Sequence, residues 1–221
     1  MSSISAFRQL VLLALLLLVV PKLNASGPQN PKKSAPVPST ETLHEGDILF
    51  QVNQGGQSQA IALATGSKWT HVGILLKDKG KWFVYEAVGP VKATPLDVWA
   101  THGMDGHYTA MRWKEAETQL DADRIEKLRT SLKNYMGLPY DWDFRWSDEM
   151  IYCSELIWKV YKEGLGIALC EPIPMREYAL ESETVKQVLE MRYGKEPPLD
   201  ELMFAPGTLF DCPLLVQVGE F

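Results

Sequence analysis

Alternating apolar and polar positions predict β-strands in the first half of the chain. The clearest pattern is "THVGILLKDKGKWFVYEAV" (residues 70–88), in which two apolar runs flank Lys79-Gly80 and predict a β-hairpin. A turn and then a short strand are predicted for "EGDILFQV" (45–52), and a further strand for "HYTAMRW" (107–113). The hairpin makes the predicted sheet mostly antiparallel.

Helical periodicity predicts that helices surround this sheet. Apolar residues recur at helical spacing in residues 56–66, 95–103, 118–136 and 181–194. A fifth helix with one apolar face is predicted within "MIYCSELIWKVY" (150–161). The tail from Glu196 is rich in proline and is predicted to have little regular structure. Helices packed on an antiparallel sheet define the α+β fold class.

The first 25 residues have the pattern of a secretory signal peptide. Arg8 precedes an apolar run over residues 10–20, and Ala25 stands at a small-residue cleavage site. A signal anchor is the alternative, although this run is shorter than the roughly 20 apolar residues that span a bilayer. Residues 26–43 are rich in Pro, Ser and Lys and are interpreted as a flexible linker. The predicted organisation is signal peptide 1–25, linker 26–43 and one folded catalytic domain 44–221.

Charge and cysteine content narrow the classes of partner and cofactor. The net charge is −6 and the Lys and Arg residues are scattered, so no basic stripe for nucleic acid is present. The histidines other than His71 show no metal-ligand spacing, and neither a metal nor any other cofactor is expected. Cys170 and Cys212 either pair as a disulfide, which leaves Cys153 free, or remain two isolated thiols.

The register of the hairpin decides whether a histidine and a glutamate meet. With a two-residue turn, Asp78 opposes Lys81 and, further along the strands, Gly73 opposes Glu86. His71 and Glu86 then lie on one face as diagonal neighbours, roughly 7–8 Å apart at the backbone. Gly73 leaves room between them, whereas a loop one residue longer would put them on opposite faces. The shorter loop therefore predicts a His71–Glu86 pair.

A cysteine near the start of a helix completes a candidate catalytic site. Taken singly, Glu86 is also consistent with a solvent-facing carboxylate, His71 with a core histidine and Cys153 with an inert thiol. Together, the carboxylate fixes the imidazole tautomer and the other ring nitrogen holds a thiolate at the helix N-terminus. This arrangement predicts acyl transfer, with backbone N–H groups as oxyanion donors. The local pattern leaves open whether the helix starts at Tyr152 or is capped earlier by Ser147.

Five strings, in one order, carry a resemblance to a known family. They are "GDILFQ", "THVGILL", "YEAVGPVKATPL", "YMGLPYDWDF" and "YCSELIWKVY". Through them the chain resembles the YiiX branch of the NlpC/P60 superfamily of papain-like cysteine hydrolases, and the order His71, Glu86, Cys153 matches the circularly permuted form. The resemblance implies a permuted papain-like (NlpC/P60) fold, with an antiparallel sheet packed against helices.

The resemblance also implies roles for individual residues. Cys153 is the expected nucleophile, His71 the general base and then acid, and Glu86 the residue that orients the histidine. A helix that begins near Cys153 is favoured, and Tyr140 of "GLPYD" is expected at the rim of the pocket, with a core aromatic as the alternative. The residues assigned to substrate binding are Tyr140, Tyr152 and Ser154.

The predicted function is that of an exported thiol hydrolase, a cysteine peptidase or amidase, placed in the periplasm of a Gram-negative bacterium by the resemblance. The leading hypothesis is cleavage of an amide bond in a small peptide or peptidoglycan-derived fragment through an acyl-enzyme intermediate. Acyl transfer or hydrolysis on lipids or other acylated small molecules is one alternative. Four tryptophans are candidates either for its groove or for the core: Trp69, Trp99, Trp142 and Trp146. A non-catalytic module for an amino-acid-like ligand is another alternative, and no stable membrane insertion is expected after signal cleavage.

Overall fold

A computed structural model of the protein describes residues 40–221. The predicted signal peptide (1–25) lies outside these residues, as does the predicted linker (26–43) up to position 39. The last linker positions are structured, because Thr40–Thr42 forms a 3₁₀ turn and Leu43 is buried. No helix within the described range is long and apolar enough to cross a membrane.

Eight strands and seven α-helices follow one another along residues 40–221. The strands are β1 (Ile48–Gln51), β2 (His71–Asp78), β3 (Lys81–Ala87), β4 (Val91–Pro95), β5 (Tyr108–Trp113), β6 (Ile173–Pro174), β7 (Leu202–Met203) and β8 (Leu215–Glu220). The helices are α1 (Gly56–Thr65), α2 (Leu96–Ala100), α3 (Ala116–Gln119), α4 (Ala122–Tyr135), α5 (Cys153–Leu165), α6 (Glu183–Tyr193) and α7 (Pro206–Phe210). Short 3₁₀ turns also occur at Met104–Gly106 and Met175–Glu177.

Six of the strands form one antiparallel sheet in the order β4-β3-β2-β1-β5-β8, and β6 pairs with β7. The β2–β3 hairpin has the predicted register, with Asp78 opposite Lys81. Its two turn residues, Lys79 and Gly80, have positive φ angles of 48° and 78°. Positive φ at both positions is what the two-residue turn that matches the strand twist requires. The predicted register is confirmed.

Helices cover both faces of the sheet. The larger core cluster joins one face to α4 and α5, and the smaller cluster joins the other face to α2 around the fully buried Trp99. Since both faces are buried, apolar residues are nearly continuous along β1 and β2. Contacts of α5 with both β2 and α4 hold this helix against the sheet.

The proline-rich tail has more structure than its sequence indicates. The prediction of little regular structure after Glu196 is wrong, because α7 forms there and β8 pairs with β5 at a sheet edge. Phe204 in the same segment is fully buried. The sequence pattern also does not predict β4, which pairs with β3 at the opposite edge. Both are edge strands, whose pairing depends on distant residues more than on local alternation.

Candidate active site

His71 and Glu86 form a buried pair at the end of the β2–β3 hairpin. His71 Nε2 lies 2.6 Å from Glu86 Oε2, and the side chains are 6 % and 1 % exposed. His71 is the first residue of β2, and Glu86 is the last but one of β3. The bond occupies Nε2 of the ring and leaves Nδ1 for a second partner.

Glycine at position 73 allows the two strands to bring this pair together. A Cβ added at Gly73 would lie 2.3 Å from Val84 Cγ1 and 3.5 Å from Glu86 Cβ. A contact of 2.3 Å is far inside van der Waals distance, so a larger residue would displace the β3 side chains. The expectation that Gly73 leaves room beside Glu86 agrees with this geometry.

Two further side chains hold the Glu86 carboxylate. Thr94 Oγ1 donates to Oε1 over 2.6 Å, and Trp99 Nε1 donates to Oε2 over 2.8 Å. Burial favours the neutral carboxyl, but the hydrogen bonds and charge of His71, with these two donors, hold the pKa of Glu86 below its usual value. Gln51 in turn donates to the Trp99 carbonyl oxygen over 3.1 Å. Thr94 carries no sequence signal for this role, because it lies in the strand that the pattern does not predict.

Cys153 is the first residue of α5, and Tyr152 is the N-cap residue. The alternative in which Ser147 caps the helix is therefore wrong. The thiol sits where the backbone N–H groups of the first turn lack helical acceptors and where the helix dipole favours negative charge. Cys153 is 4 % exposed and hydrogen-bonds to the side chain of His71.

The His71 ring is held in its protonated form between Cys153 and Glu86. Burial by itself lowers the pKa of His71, but hydrogen bonds and charge from Cys153 and Glu86 outweigh it and raise the pKa to about 9. The ring therefore carries a proton at neutral pH. An imidazolium beside a sulfur at a helix N-terminus is the environment that stabilises a thiolate.

Tyr140 lies beside Cys153, in the segment that connects α4 to α5. Its backbone bridges Ile151, and its hydroxyl accepts a hydrogen bond of 3.3 Å from Gln57 Nε2. Burial, followed by the nearby charge of Cys153, raises the pKa of Tyr140 well above its ordinary value. The side chain is largely buried, so Tyr140 forms part of the pocket wall more than an open rim.

Tyr152 and Ser154 both hold the segment around Phe204. The Tyr152 hydroxyl accepts from Phe204 N over 3.0 Å, and Ser154 Oγ donates to Phe204 O over 2.5 Å. Both hydroxyls are thus engaged within the protein, although the two residues line the same pocket as Cys153. Their assignment to substrate binding stays a prediction.

An apolar pocket opens beside Cys153 and Tyr140. The space between its walls, counted together with the adjoining open solvent, is about 720 Å³. The walls come from α1, α6, the start of α5 and the segments around Met175 and Phe204. Arg192 is the one charged residue among the described residues that line it.

The four tryptophans proposed as groove residues lie elsewhere, since none of them lines this pocket. Trp69 packs on Phe50 and Phe210 in the core, and Trp99 is the buried donor to Glu86. Trp142 and Trp146 lie in the segment that precedes α5. Trp142 is 57 % exposed against Tyr140, and Trp146 packs edge-on against Trp158. None of the four contributes to this pocket, whose walls are mainly aliphatic, tyrosine and phenylalanine side chains.

A partly buried cluster of ionisable side chains secures the first turns of α5, and the sequence pattern does not predict it. Lys159 Nζ lies 3.0 Å from Glu155 Oε1 and 2.7 Å from Asp148 Oδ1. Lys159 also donates to the Ser147 carbonyl oxygen. Burial raises the pKa of Glu155 to about 8, although Lys159 opposes the shift. The cluster joins residues 147–148 to the helix that carries Cys153.

The two remaining cysteines are thiols in contact with each other. A side-chain hydrogen bond joins Cys170 to Cys212, and all three cysteines are free. Burial, with the neighbouring Cys212, raises the pKa of Cys170 to about 12. The structure has no Cys170–Cys212 disulfide, and the two thiols are in contact with each other and so are not isolated.

The fold and site together define a class of protein. A cysteine at the first position of a helix, packed on an antiparallel sheet that supplies a histidine and its acidic partner, is the arrangement of papain-like cysteine hydrolases. Here the histidine and glutamate precede the cysteine in the chain, so the order is permuted. The chain belongs to the C92 peptidase family of permuted papain-like amidases, the YaeF/YiiX family, whose profile matches residues 42–218.

Two similar proteins come from Escherichia coli. The chain is 43 % identical to "Uncharacterized protein YiiX" of strain K12 over 175 residues, which cover 79 % of this chain and 85 % of that protein. It also resembles a crystal structure described as metalloprotein yiiX from Escherichia coli O157:H7. That likeness has a TM-score of 0.77 and 42 % identity, and it covers 80 % of this chain and 97 % of the other.

These matches confirm the α+β permuted papain-like fold, the YiiX resemblance and the class of cysteine peptidase or amidase. The wider NlpC/P60 assignment, the export and the roles of individual residues stay predictions.

Proposed function

We propose that the protein is an exported cysteine amidase in which Cys153 is the nucleophile, His71 the proton-transfer group and Glu86 the residue that orients the histidine. The observation that carries the proposal is the chain of contacts from Glu86 through His71 to Cys153. Glu86 bonds Nε2 at 2.6 Å, and Cys153 is the remaining hydrogen-bond partner of the ring. Export rests on the signal-like pattern of residues 1–25.

Two chemical steps follow from this arrangement. In acylation, the Cys153 thiolate attacks the substrate carbonyl carbon, and a C–S bond forms as the carbonyl π electrons move onto oxygen. The tetrahedral intermediate collapses, the C–N bond breaks, and the leaving nitrogen takes the proton from His71 Nδ1. In deacylation, water attacks the thioester while Nδ1 accepts its proton. The C–S bond then breaks, the acid product leaves, and the Cys153 thiolate and the protonated His71 are restored.

The oxyanion of each intermediate needs hydrogen-bond donors close to Cys153. The backbone N–H of Cys153 belongs to the first turn of α5 and has no helical acceptor. The Tyr140 hydroxyl is a second candidate, because it accepts from Gln57 Nε2 and so keeps its own proton free to donate. Removal of one such donor in a hydrolase reduces kcat by about 10²–10³-fold.

We propose no metal for this reaction. The Escherichia coli O157:H7 structure is described as a metalloprotein. A zinc centre of the catalytic type uses three side-chain ligands and a structural one uses four. Within residues 40–221, no three His, Cys, Asp or Glu side chains lie close enough to form such a set. The donors that the described residues place together therefore do not fit a zinc-type centre, and no step is assigned to a metal.

The thiol chemistry can be tested by alkylation. We expect iodoacetamide to label Cys153 at a rate that persists well below the ordinary thiol pKa of about 8.5, and His71→Ala to remove this advantage. His102→Ala, which changes an exposed histidine, is the matched control. Ordinary thiol reactivity in both wild type and His71→Ala would contradict the proposal.

The substrate can be sought by mass spectrometry of muropeptide and acyl-amide mixtures, each incubated with wild type and with Cys153→Ala. A small peptide or peptidoglycan-derived fragment is the leading expectation for the scissile amide. A product that forms with wild type and not with Cys153→Ala supports the amidase. Binding without any turnover would instead favour a module that captures an amino-acid-like ligand.

A further inference from the structure

The tail segment 204–212, here named the clamp, contacts both arms of the candidate site. Its first residue, Phe204, accepts from the Ser154 hydroxyl on its carbonyl oxygen and donates its N–H to the Tyr152 hydroxyl over 3.0 Å. Ser154 and Tyr152 are the two neighbours of Cys153 in the chain. Phe204 therefore holds the backbone on both sides of the thiol.

The other end of the clamp packs on the segment that leads into β2. A Cβ added at Gly207 would lie 2.5 Å from Ser67 Cβ, so the two backbones pass in close contact. The centre of the Phe210 ring lies 4.8 Å from that of Trp69, two residues before His71. The two arms of the site come from different elements, and the clamp contacts the chain next to each of them. Its position therefore affects the distance between the thiol and the imidazole.

The clamp ends at a pair of thiols. Cys212 is 3 % exposed, and its side chain shares a hydrogen bond with Cys170, which is half-buried. The Cys170 carbonyl oxygen accepts from Trp158 Nε1 over 2.8 Å, and Trp158 belongs to α5. A bond between the two sulfurs would therefore join the end of the clamp to a residue held by the helix that carries Cys153.

We infer that Cys170 and Cys212 form a disulfide in the exported protein and that this bond locks the clamp beside the candidate site. The inference rests on the export in the proposed function, because exported proteins meet oxidising conditions. The structure shows the reduced pair. A disulfide here closes a long loop and removes conformational freedom from the unfolded chain. The clamp lies within that loop, so its local opening is restricted as well.

Thiol–disulfide exchange supplies the chemistry, and the oxidant is a disulfide of the exported compartment, carried by a protein or by a small thiol. It reaches Cys170 first, since Cys212 is buried. The Cys170 thiol loses its proton and attacks the oxidant, which forms a mixed disulfide and expels one thiolate. The Cys212 thiol then loses its proton, and its sulfur attacks Cys170 Sγ, closes the bond and expels the second thiolate. Two electrons pass to the oxidant, which takes up both protons as two thiols.

The redox state of the exported protein tests the bond. The full chain with Cys153→Ala is produced in Escherichia coli and recovered from the periplasm. Acid quenching is followed by N-ethylmaleimide under denaturing conditions. We expect no maleimide adduct before reduction and two after it, as measured by intact mass. Cys153→Ala/Cys212→Ser, the matched control, should take up one after reduction. Two adducts without reduction would overturn the inference.

Alkylation of Cys153 in urea tests the lock. The reduced protein should lose rapid iodoacetamide labelling of the Cys153 peptide at about pH 6, by roughly 10–100-fold, at a urea concentration that the oxidised protein withstands. The loss should come before the far-ultraviolet circular dichroism changes, because the clamp opens without global unfolding. Cys170→Ala/Cys212→Ala should behave as the reduced wild type. Loss at the same urea concentration in oxidised and reduced wild type would overturn the lock.

Cell fractionation separates failure of the inference from failure of the proposed function. Full-length protein found only in the cytoplasm would contradict export, on which the inference rests. Periplasmic protein with both thiols free would contradict the disulfide while export stands. If wild type cleaves no amide, the amidase fails. The alkylation measurement needs only the Cys153 thiolate, so it still decides whether the disulfide locks the clamp.

Discussion

Trp99 donates its indole N–H to Glu86 Oε2 across 2.8 Å, and both side chains are buried against the sheet. This bond places an uncharged donor on the carboxylate oxygen that also holds His71 Nε2. Trp99 thereby helps to fix the direction in which Glu86 presents its charge to the ring. In the proposed site Trp99 would act as a positioning residue, since it contacts Glu86 and does not line the pocket.

Removal of this indole donor should weaken both the fold and the site. We expect Trp99→Phe to lower the free energy of unfolding by about 1–3 kcal/mol, because a buried carboxylate oxygen loses a partner. The pH dependence of Cys153 alkylation should also change, because Glu86 loses one of the donors that hold it in place. Urea denaturation and iodoacetamide labelling measure the two effects. Trp142→Phe, at a 57 % exposed position, is the control and should leave both unchanged.

Gly73→Ala should destabilise the hairpin. The added Cβ would meet Val84 Cγ1 at 2.3 Å, and overpacking of this kind costs about 1–3 kcal/mol. Thermal or urea unfolding measures the loss, and Val84→Ala in the same chain should restore part of it. Gly56→Ala is the control, since a Cβ at Gly56 meets nothing within 4 Å. Equal stability of the Gly73 and Gly56 variants would show that the strands are less tightly apposed.

The charge on His71 should make stability depend on pH. The folded-state pKa of about 9 lies above the ordinary 6.5, so the ring binds its proton more tightly in the folded protein. This contribution, up to about 3 kcal/mol, is fully present below pH 6.5 and is lost as the pH rises through 9. The difference in unfolding free energy between wild type and His71→Ala should therefore shrink over that interval. A difference that grows with pH would contradict the direction of the shift.

Glu155→Gln should become more stable relative to wild type as the pH rises. Burial raises the pKa of Glu155 from 4.5 to about 8, so ionisation of the folded protein is disfavoured. The stabilising contribution of the protonated carboxyl is present below pH 4.5 and is lost as the pH approaches 8. The amide side chain in Glu155→Gln does not titrate, so its contribution to stability does not change with pH. Denaturation of both proteins at a series of pH values measures the difference in unfolding free energy. Glu149→Gln, at an exposed position in the preceding segment, is the control.

Cys170 and Cys212 should form a disulfide when oxidised glutathione is supplied. Their thiols already share a hydrogen bond, so exchange with the glutathione disulfide yields an intramolecular bond and two glutathione thiols. Peptide mapping without reductant should find the two peptides joined, and Cys212→Ser should abolish this species. A mixed disulfide with glutathione as the stable product would indicate that the sulfurs cannot reach bonding geometry.

The hairpin is the part of the site that local sequence rules predict best. Its register follows from the short turn at Lys79 and Gly80 and from the two-residue period of strand side chains. Those two constraints suffice to predict that His71 and Glu86 share a face. The helix that carries Cys153 is also predicted from its apolar spacing, but its first residue is not.

The start of α5 depends on contacts that local patterns do not contain. Ser147 has the chemistry of an N-cap, yet its carbonyl oxygen accepts from Lys159 and the helix begins six residues later. Glu155 and Lys159 are charged residues that the sequence pattern places on the polar face of the helix. Instead they are buried, because Lys159 reaches Asp148 in the preceding segment.

The sequence by itself therefore determined the α+β class, the hairpin register and the three residues of the candidate site. The tertiary structure alone decided what surrounds them: Thr94 and Trp99 on Glu86, the position of Cys153 at the first turn of α5, and the apolar pocket. The physical reason is the distance along the chain over which each feature is specified. A turn and a strand period act between neighbouring residues, whereas the pocket forms only when α1, α6 and the tail pack together.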